Sequence, residues 1–318
     1  MVEQSFLPMI LSGAMRLRLP LITWAMGLIA AAMLNLRAQD ARTPVMLWTV
    51  TDGAGSTAYL VGSIHALTSD VYPLPQAMDE ALLQSKVLVE EILLDEAAEP
   101  APATQMLSKA TLPQGTTLQR LISPQQYAQV TAFAGRSGLP MTMLRQFKPW
   151  MVAILLSTAT LTQAGYDPAQ GIDRYFFDKA RAAGMPVRAL ESIDDQIGRL
   201  DGLSTDEQVL LLSEMVSEAD ALVRDVGTMV TRWRMGDAAG LASLLRPSMH
   251  AFPGLEERLL IERNRAWVPH IERCVRERQG CLVVVGAGHL VGRDSVVTLL
   301  RGRGLQVRQH GVPLPPPR

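Results

Sequence analysis

The sequence lacks any block of basic residues. Its 30 lysines and arginines nearly balance 31 aspartates and glutamates, giving a net charge of −1, and they are spread along the chain. Because nucleic-acid binding depends on clustered positive charge, no nucleic-acid partner is expected. The chain also lacks a linker that would separate stable domains, so we predict a single domain over residues 39–310.

Several catalytic signatures are missing as well. There is no Gly-x-Ser-x-Gly elbow and no His-Glu-x-x-His helix, which argues against a serine hydrolase of that type and against the zincin arrangement. Gly286, Gly288 and Gly292 follow an apolar run as in a dinucleotide-binding turn, but their spacing is wrong. No acidic ribose partner follows about 20 residues later, so a Rossmann site is not indicated.

The N-terminus has the pattern of a targeting segment. Leu19–Leu34 is apolar and uncharged, Met15–Arg18 supplies basic residues before it, and Leu36–Ala38 offers a cleavage site. We predict a signal peptide over residues 1–38 and a periplasmic or secreted protein. The alternative is an uncleaved inner-membrane anchor, the only case in which a membrane would be a partner. Met15 is an alternative start, and no cysteine follows the apolar run, which argues against a lipoprotein.

Only two cysteines are present, Cys274 and Cys281, and export makes them candidates for a disulfide. The first lies late in a predicted helix and the second opens a predicted strand. They can pair if their Cα atoms approach within about 7 Å, and the alternative is two separate thiols.

The pattern of apolar residues predicts an α/β (α+β) fold with a central mixed sheet and a large inserted helical layer at about residues 118–245. We expect Glu96–Thr104 to be a loop and the proline-rich residues 311–318 to be disordered. The predicted strands are Met46–Val50, Thr57–Val61, Val87–Val89, Met185–Glu191, Cys281–Val285 and Gln306–Arg308.

Two of these strands end in the same motif. Tyr59–Val61 runs into Gly62-Ser63-Ile64-His65, and Leu282–Val285 runs into Gly286-Ala287-Gly288-His289. Ligands of open α/β sheets bind beyond the carboxyl ends of the strands, so two histidines placed there suggest a shared site. The alternative for each histidine alone is a hydrogen-bonded structural residue.

Carboxylates follow two further strands. Glu90 and Glu91 end one of them, and strand alternation predicts that at most one of the pair points into a given site. Glu191 ends the other. Two imidazoles and a carboxylate are a usual ligand set for Zn²⁺, Mn²⁺ or Co²⁺ with an open position for water, which is hydrolytic chemistry. The alternative for the carboxylates is a solvated strand end.

These pieces together resemble the TraB/GumN family, which is related to the Tiki metalloproteases. The resemblance rests on YLVGSIHALTSDVYPLP, VLVEE, KPW, GIDRYF, ALESIDDQ, ERNRAW and VVVGAGHLVG, in that order. It implies a mixed α/β fold and, from the animal relatives, metal-dependent, peptidase-like hydrolysis. The GumN name also implies an association with exopolysaccharide genes, so a non-catalytic periplasmic binding or accessory protein is the alternative function.

The resemblance also implies roles for individual residues. His65 and His289 would be metal ligands, and Glu91 a ligand or general base, with Glu90 a close second for that role. Arg263 would be an electrophilic helper and Asn264 a substrate-orienting group. The helical pattern alone would place both residues on a solvated face. Glu191, as a catalytic residue, and Gln196, as a substrate contact, match further family positions that would complete the site. We also expect Ser63 and Gly288 to contact a peptide or small-molecule substrate.

Overall fold

A computed structural model describes residues 43–251 and 253–313. The predicted signal peptide or anchor, residues 1–38, lies outside the described residues, as do residues 314–318 of the proline-rich tail. Within these described ranges, no helix is both long and apolar enough to cross a membrane.

A six-stranded mixed sheet forms the centre of the fold, with the strand order β4-β3-β5-β2-β1-β6. The neighbours β4, β3, β5 and β2 run parallel, whereas β1 is antiparallel to both β2 and β6. The expected α/β fold with a mixed sheet is therefore confirmed. The strands are β1 Leu47–Thr51, β2 Thr57–Ser63, β3 Val87–Glu90, β4 Val187–Ala189, β5 Cys281–Gly286 and β6 Gln306–Gln309.

The central strand β5 lies between β3 and β2, and helices cover it so that Cys281–Val285 are all buried. This explains its continuous apolar run, which is typical of a parallel strand buried on both faces. In the register of the sheet, Gly286 lies opposite Ser63 and Val284 lies opposite Glu90. The carboxyl ends of β2, β3, β4 and β5 therefore meet at one edge of the sheet.

Most of the remaining chain is helical. The predicted loop over Glu96–Thr104 is wrong, because a helix begins at Pro100, where proline at the first helical position costs no hydrogen bond. The helical region therefore starts before residue 118. The helices are α1 Gln76–Leu83, α2 Leu94–Ala97, α3 Pro100–Ala110, α4 Leu118–Leu121, α5 Pro124–Arg136, α6 Met141–Leu144, α7 Pro149–Gln163, α8 Ile172–Ala182, α9 Ile193–Asp201, α10 Thr205–Ser217, α11 Ala219–Arg234, α12 Ala238–Ala251, α13 Pro253–Glu256, α14 Glu262–Arg276 and α15 Val296–Gly302.

Three apolar clusters lie among the described residues, and the smallest of them includes Ala110, Trp150 and Ile197. The main core includes the buried faces of the sheet together with α8 and α14. A second cluster lies within the inserted helices and includes Leu118, Phe133, Leu156 and Leu212. The inserted helices thus have apolar packing of their own, in addition to the core around the sheet.

A disulfide joins Cys274 of α14 to Cys281 at the start of β5, with the two Cα atoms 5.9 Å apart. This spacing lies in the range that a disulfide requires, so of the two alternatives for the cysteines the pairing is the one observed. The bond ties α14 to the strand that leads into Gly286. Both elements carry residues of the site described below.

Candidate active site

His65 follows the end of β2 and faces a cavity of about 780 Å³ at the edge of the sheet. Its Nε2 lies 4.0 Å from Oε1 of Glu91, and its Nδ1 lies 3.3 Å from Oδ2 of Asp173. Removal from water opposes the charged ring, but the hydrogen bond and charge of Asp173, with a contribution from Glu91, raise the pKa of His65 to about 9. The imidazole is therefore protonated at neutral pH unless another cation takes its place.

Asp173 is the site residue that sequence reasoning missed. It lies in the first turn of α8, and the backbone N–H of Ile172 donates to the carbonyl of Ile64, which brings this helix against the end of β2. A Cβ on Gly171 would come within 2.5 Å of the carbonyl oxygen of His65, so only glycine permits this approach. The signal was present in the GIDRYF segment, which contains Asp173.

His289 lies in the 3₁₀ turn after β5 and is 4% exposed. Its Nδ1 is 2.7 Å from Oδ1 of Asn264, and the amide nitrogen of Asn264 donates to the carbonyl of Asp294. Because Oδ1 can only accept, Nδ1 of His289 carries the proton and Nε2 presents its lone pair. Burial lowers the pKa of His289 to about 3, although the nearby Glu91 opposes this, so the ring is neutral.

Glu91 lies between the two histidines, with Oε1 4.0 Å from Nε2 of His65 and 3.9 Å from Nε2 of His289. The same oxygen accepts a 2.7 Å hydrogen bond from the backbone N–H of Gly286. Burial alone would raise the pKa of Glu91, but His289, His65 and Arg263 together with this hydrogen bond lower it to about 2. Glu91 is therefore ionised.

Gly286 leaves open the space among these three side chains. A Cβ at this position would lie 3.3 Å from Oε1 of Glu91, 3.4 Å from Nε2 of His65 and 3.5 Å from Cδ2 of His289. In the first motif, glycine is required for a different purpose. A Cβ on Gly62 would lie only 3.2 Å from Ala287, so glycine allows the two motifs to pack closely. The two Gly-x-x-His motifs thus pack against each other around one space.

Arg263 closes the site from α14 and is 8% exposed, so the solvated helical face that the pattern alone favours is wrong. Its guanidinium donates to Oε2 of Glu91 and, at 2.6 Å, to Oε1 of Glu191. Its Nη1 also lies 3.0 Å from Nε2 of His289. Glu191 reaches this position because its backbone N–H donates to the carbonyl of Glu91, which continues the pairing of β3 with β4.

Asn264 is buried as well, at 2% exposure, and its role is to hold the ring of His289 rather than to face the cavity. Gln196 does line the cavity, and its amide nitrogen lies 3.3 Å from Oε2 of Glu91. Gly288 lines a different cavity, near Asn264, so its predicted substrate contact does not lie in the cavity of His65. The 3₁₀ turn directs Gly288 and His289 to different sides.

Glu90 and Ser63 form a further wall of the cavity, and each is 2% exposed. Burial, together with the charges of Asp173 and Glu91, raises the pKa of Glu90 to about 9. The expectation that only one of the glutamates points into the site is wrong, because both line the same cavity. Alternation applies only up to Glu90, where β3 ends, and Glu91 lies beyond the strand.

The donor types at this site suit a divalent cation, but their arrangement is wider than a closed coordination sphere. In the described part of the chain, no group of three or more His, Cys, Asp or Glu side chains is arranged as a metal site. Oε1 of Glu91 lies 4.0 Å from Nε2 of His65 and 3.9 Å from Nε2 of His289, so both histidines would have to move closer to Glu91 for the three side chains to hold one ion.

The protein is thus an α/β protein with a mixed sheet, and its parallel strands lead into two histidines and two buried carboxylates at one site. The chain is a member of the TraB/PrgY/gumN family, whose model matches residues 46–309. This finding confirms the resemblance inferred from the motifs.

Its relatives include both uncharacterized bacterial proteins and animal enzymes. The uncharacterized protein YbaP of Escherichia coli (strain K12) is 25% identical over 243 residues, covering 76% of this chain and 87% of YbaP. The metalloprotease TIKI1 of Homo sapiens is 20% identical over 332 residues, covering 88% of this chain and 65% of TIKI1, and TIKI1 of Danio rerio is 21% identical over 311 residues, covering 82% and 62%. No solved structure matches the chain significantly.

Proposed function

We propose that this protein is an exported, metal-dependent hydrolase that cleaves peptide bonds. The observation that carries the proposal is the space at Gly286, which two imidazoles and an ionised carboxylate surround at the carboxyl edge of the sheet. The distant similarity to metalloproteases of the Tiki type supports the same reaction class.

Each side chain of the site has a different chemical role in this proposal. His289 is neutral, and Asn264 fixes the protonated Nδ1 of its ring, which leaves the lone pair of Nε2 beside Nη1 of Arg263. Glu91 is ionised and can accept a proton from an attacking water molecule. Arg263 places a buried positive charge beside Glu91, where it can stabilise negative charge that develops on a carbonyl oxygen.

His65, His289 and Glu91 would hold a divalent Mn, Co or Zn ion, whose chemistry is to polarise a carbonyl and to lower the pKa of a water molecule. Coordination through Nε2 of His289 requires Arg263 to give up its contact with that atom. Asn264 would keep the ring oriented during this exchange, as outer-shell partners of histidine ligands commonly do.

Export to an oxidising compartment is part of the proposal. The disulfide between Cys274 and Cys281 supports it, since such bonds persist mainly outside the cytosol. The predicted signal peptide is consistent with the same location.

The test is metal content and peptide cleavage of the purified protein after incubation with Mn²⁺, Co²⁺ or Zn²⁺. We expect one ion per chain in the wild type, and loss of both the ion and cleavage in His65→Ala and His289→Ala. His270→Ala, which removes an exposed histidine from α14, is the control and should keep both. Metal-free wild-type protein, or metal retained by both site variants, would overturn the proposal and favour a ligand-binding protein.

A further inference from the structure

The cavity that contains His65 has two apolar walls with accessible surface. One wall consists of Ile92 and Leu94, and the other consists of Pro168 and Ala169 from the 3₁₀ turn before α8. Ile92 and Leu94 are half-buried, whereas Pro168 and Ala169 are exposed. A group that enters the cavity can therefore contact both walls.

The sheet places the two walls on either side of the space at Gly286. β5 lies between β3 and β2. Ile92 follows Glu91 directly beyond β3, and the 3₁₀ turn is held beyond β2, where Leu67 forms a β-bridge with Asp167. When a peptide carbonyl lies beside Glu91, the side chain of the same peptide residue enters the cavity between these walls.

The apolar surface of the walls is not used up by the packing of the fold. Leu94 packs against the main core, but Ile92 belongs to none of the three apolar clusters that the described residues form. Single exposed apolar residues are ordinary on a protein surface. Several that share one cavity with catalytic groups fit a ligand site, whose lining is mostly apolar with a few polar groups.

The charged and polar side chains farther along the cavity already have partners. Nε of Arg174 donates to Oδ2 of Asp178 at 3.0 Å, and both residues line the cavity. The amide nitrogen of Gln196 lies 3.3 Å from Oε2 of Glu91. A charged substrate side chain between the apolar walls would lose water without gaining a partner, whereas a neutral apolar one would gain contacts.

We infer that the two apolar walls form a specificity subsite for a neutral apolar side chain, aliphatic or aromatic, of the peptide residue next to the cleaved bond. The inference rests on the proposed function, because it assigns this side chain to a peptide that is hydrolysed at Gly286. The cavity of about 780 Å³ lies within the range of about 300–1,000 Å³ that is typical of ligand pockets. It therefore has room for the side chain together with the adjoining peptide backbone.

The experiment measures binding of three matched peptides to the metal-free protein by NMR titration of the peptide signals, so that it does not depend on hydrolysis. The peptides are blocked at both ends and share a background of glycine and serine, and their central residue is leucine, asparagine or lysine. Leucine and asparagine branch at the same carbon and are similar in size, so this pair isolates polarity. We expect the leucine peptide to bind about tenfold more tightly than the other two, which is the lower end of what burial of a leucine side chain supplies.

The variants test whether the two walls recognise the leucine. Ile92→Ala removes apolar surface from one wall and Ala169→Asp places a charge on the other, so each should reduce the preference several-fold. Leu107→Ala is the control, because it removes a 49% exposed apolar side chain from α3, outside the cavity, and should leave the preference unchanged.

Thermal melting of each variant confirms folding, and Ala169→Asp, at an exposed position, provides the test if Ile92→Ala is unfolded. Equal binding of the leucine and asparagine peptides to the wild type would overturn the inference. Tighter binding of the lysine peptide, or an unchanged preference for leucine in both cavity variants, would overturn it as well.

The subsite and the proposed function can fail separately. If the metal-loaded protein cleaves no peptide but the metal-free protein still prefers leucine through these walls, the subsite stands and the hydrolase proposal is wrong. If the metal-loaded protein cleaves peptides without any preference for an apolar residue, the hydrolase proposal stands and the subsite is wrong.

Discussion

Replacing Arg263 by methionine tests whether the site depends on a buried positive charge. The guanidinium is held between Glu91 and Glu191, whose side chains are 7% and 6% exposed. Methionine has a similar length and removes the charge, which leaves two buried carboxylates facing each other. Removing one partner of a buried ion pair costs about 3–5 kcal/mol of the free energy of unfolding.

At about 2–4 °C per kcal/mol for a domain of this size, the melting temperature of Arg263→Met should fall by roughly 6–20 °C. The measurement is thermal unfolding followed by circular dichroism at pH 7.5 in the presence of a chelator. The defect should shrink as the pH falls to about 5, because the charge of Arg263 helps to hold the pKa of Glu91 at about 2. Without that charge, protonation at mildly acidic pH relieves the repulsion between the carboxylates.

Arg265→Met is the matched control on the same helix. Arg265 is exposed and pairs with Glu257 at 2.6 Å, and surface pairs of this kind contribute about 0–1 kcal/mol. We therefore expect its melting temperature to change by no more than about 4 °C. Equal, small shifts in the two variants would refute the conclusion that Arg263 is the buried counter-ion of the site.

Three further predictions concern the histidines and the space between them. At pH 7, metal binding should release about one proton, because His65, with its pKa of about 9, must lose its proton and His289, with its pKa of about 3, is already neutral. Metal affinity should therefore rise with pH up to about 9, and calorimetry in buffers of different ionisation enthalpy measures the number of protons released. Asp173→Asn should lower the pKa of His65 toward its ordinary value, which NMR titration of the ring measures. Because a raised pKa stabilises the fold only while the group is protonated, the variant should lose stability mainly below pH 9, and unfolding at pH 7 and pH 10 tests this. Gly286→Ala should fill the space beside Glu91 and weaken metal uptake at least tenfold with little loss of stability, and unchanged metal content would contradict that assignment.

Local sequence patterns were sufficient to predict most of the sheet. The run Leu282–Val285 indicates a strand buried on both faces, and the loop between Thr51 and Thr57 indicates a hairpin, because both signals arise from neighbouring residues. The two Gly-x-x-His motifs predicted a shared site because each follows a strand, and ligands of open α/β sheets bind beyond the carboxyl ends of the strands. The helix at Pro100 contradicts its local pattern, since proline and alanine there form the start of a helix rather than a loop.

The identity of the charged groups around the histidines depended on tertiary structure. The helical pattern alone favours a solvated face for Arg263, and nothing local indicates that Glu91 and Glu191 enclose it. Asp173 reaches His65 only because Gly171 lets α8 approach β2. These contacts join residues far apart in the chain, so they depend on how helices pack on the sheet.

The pair Glu90 and Glu91 shows most clearly which features the sequence determined and which features the tertiary structure decided. The sequence by itself determined that two carboxylates follow a buried strand, and alternation predicted that they diverge. The tertiary structure decided that the strand ends at Glu90, so Glu91 is free to turn toward Gly286 while Glu90 lies on the cavity wall. Strand ends are set by pairing with neighbouring strands, and this pairing is a property of the folded sheet.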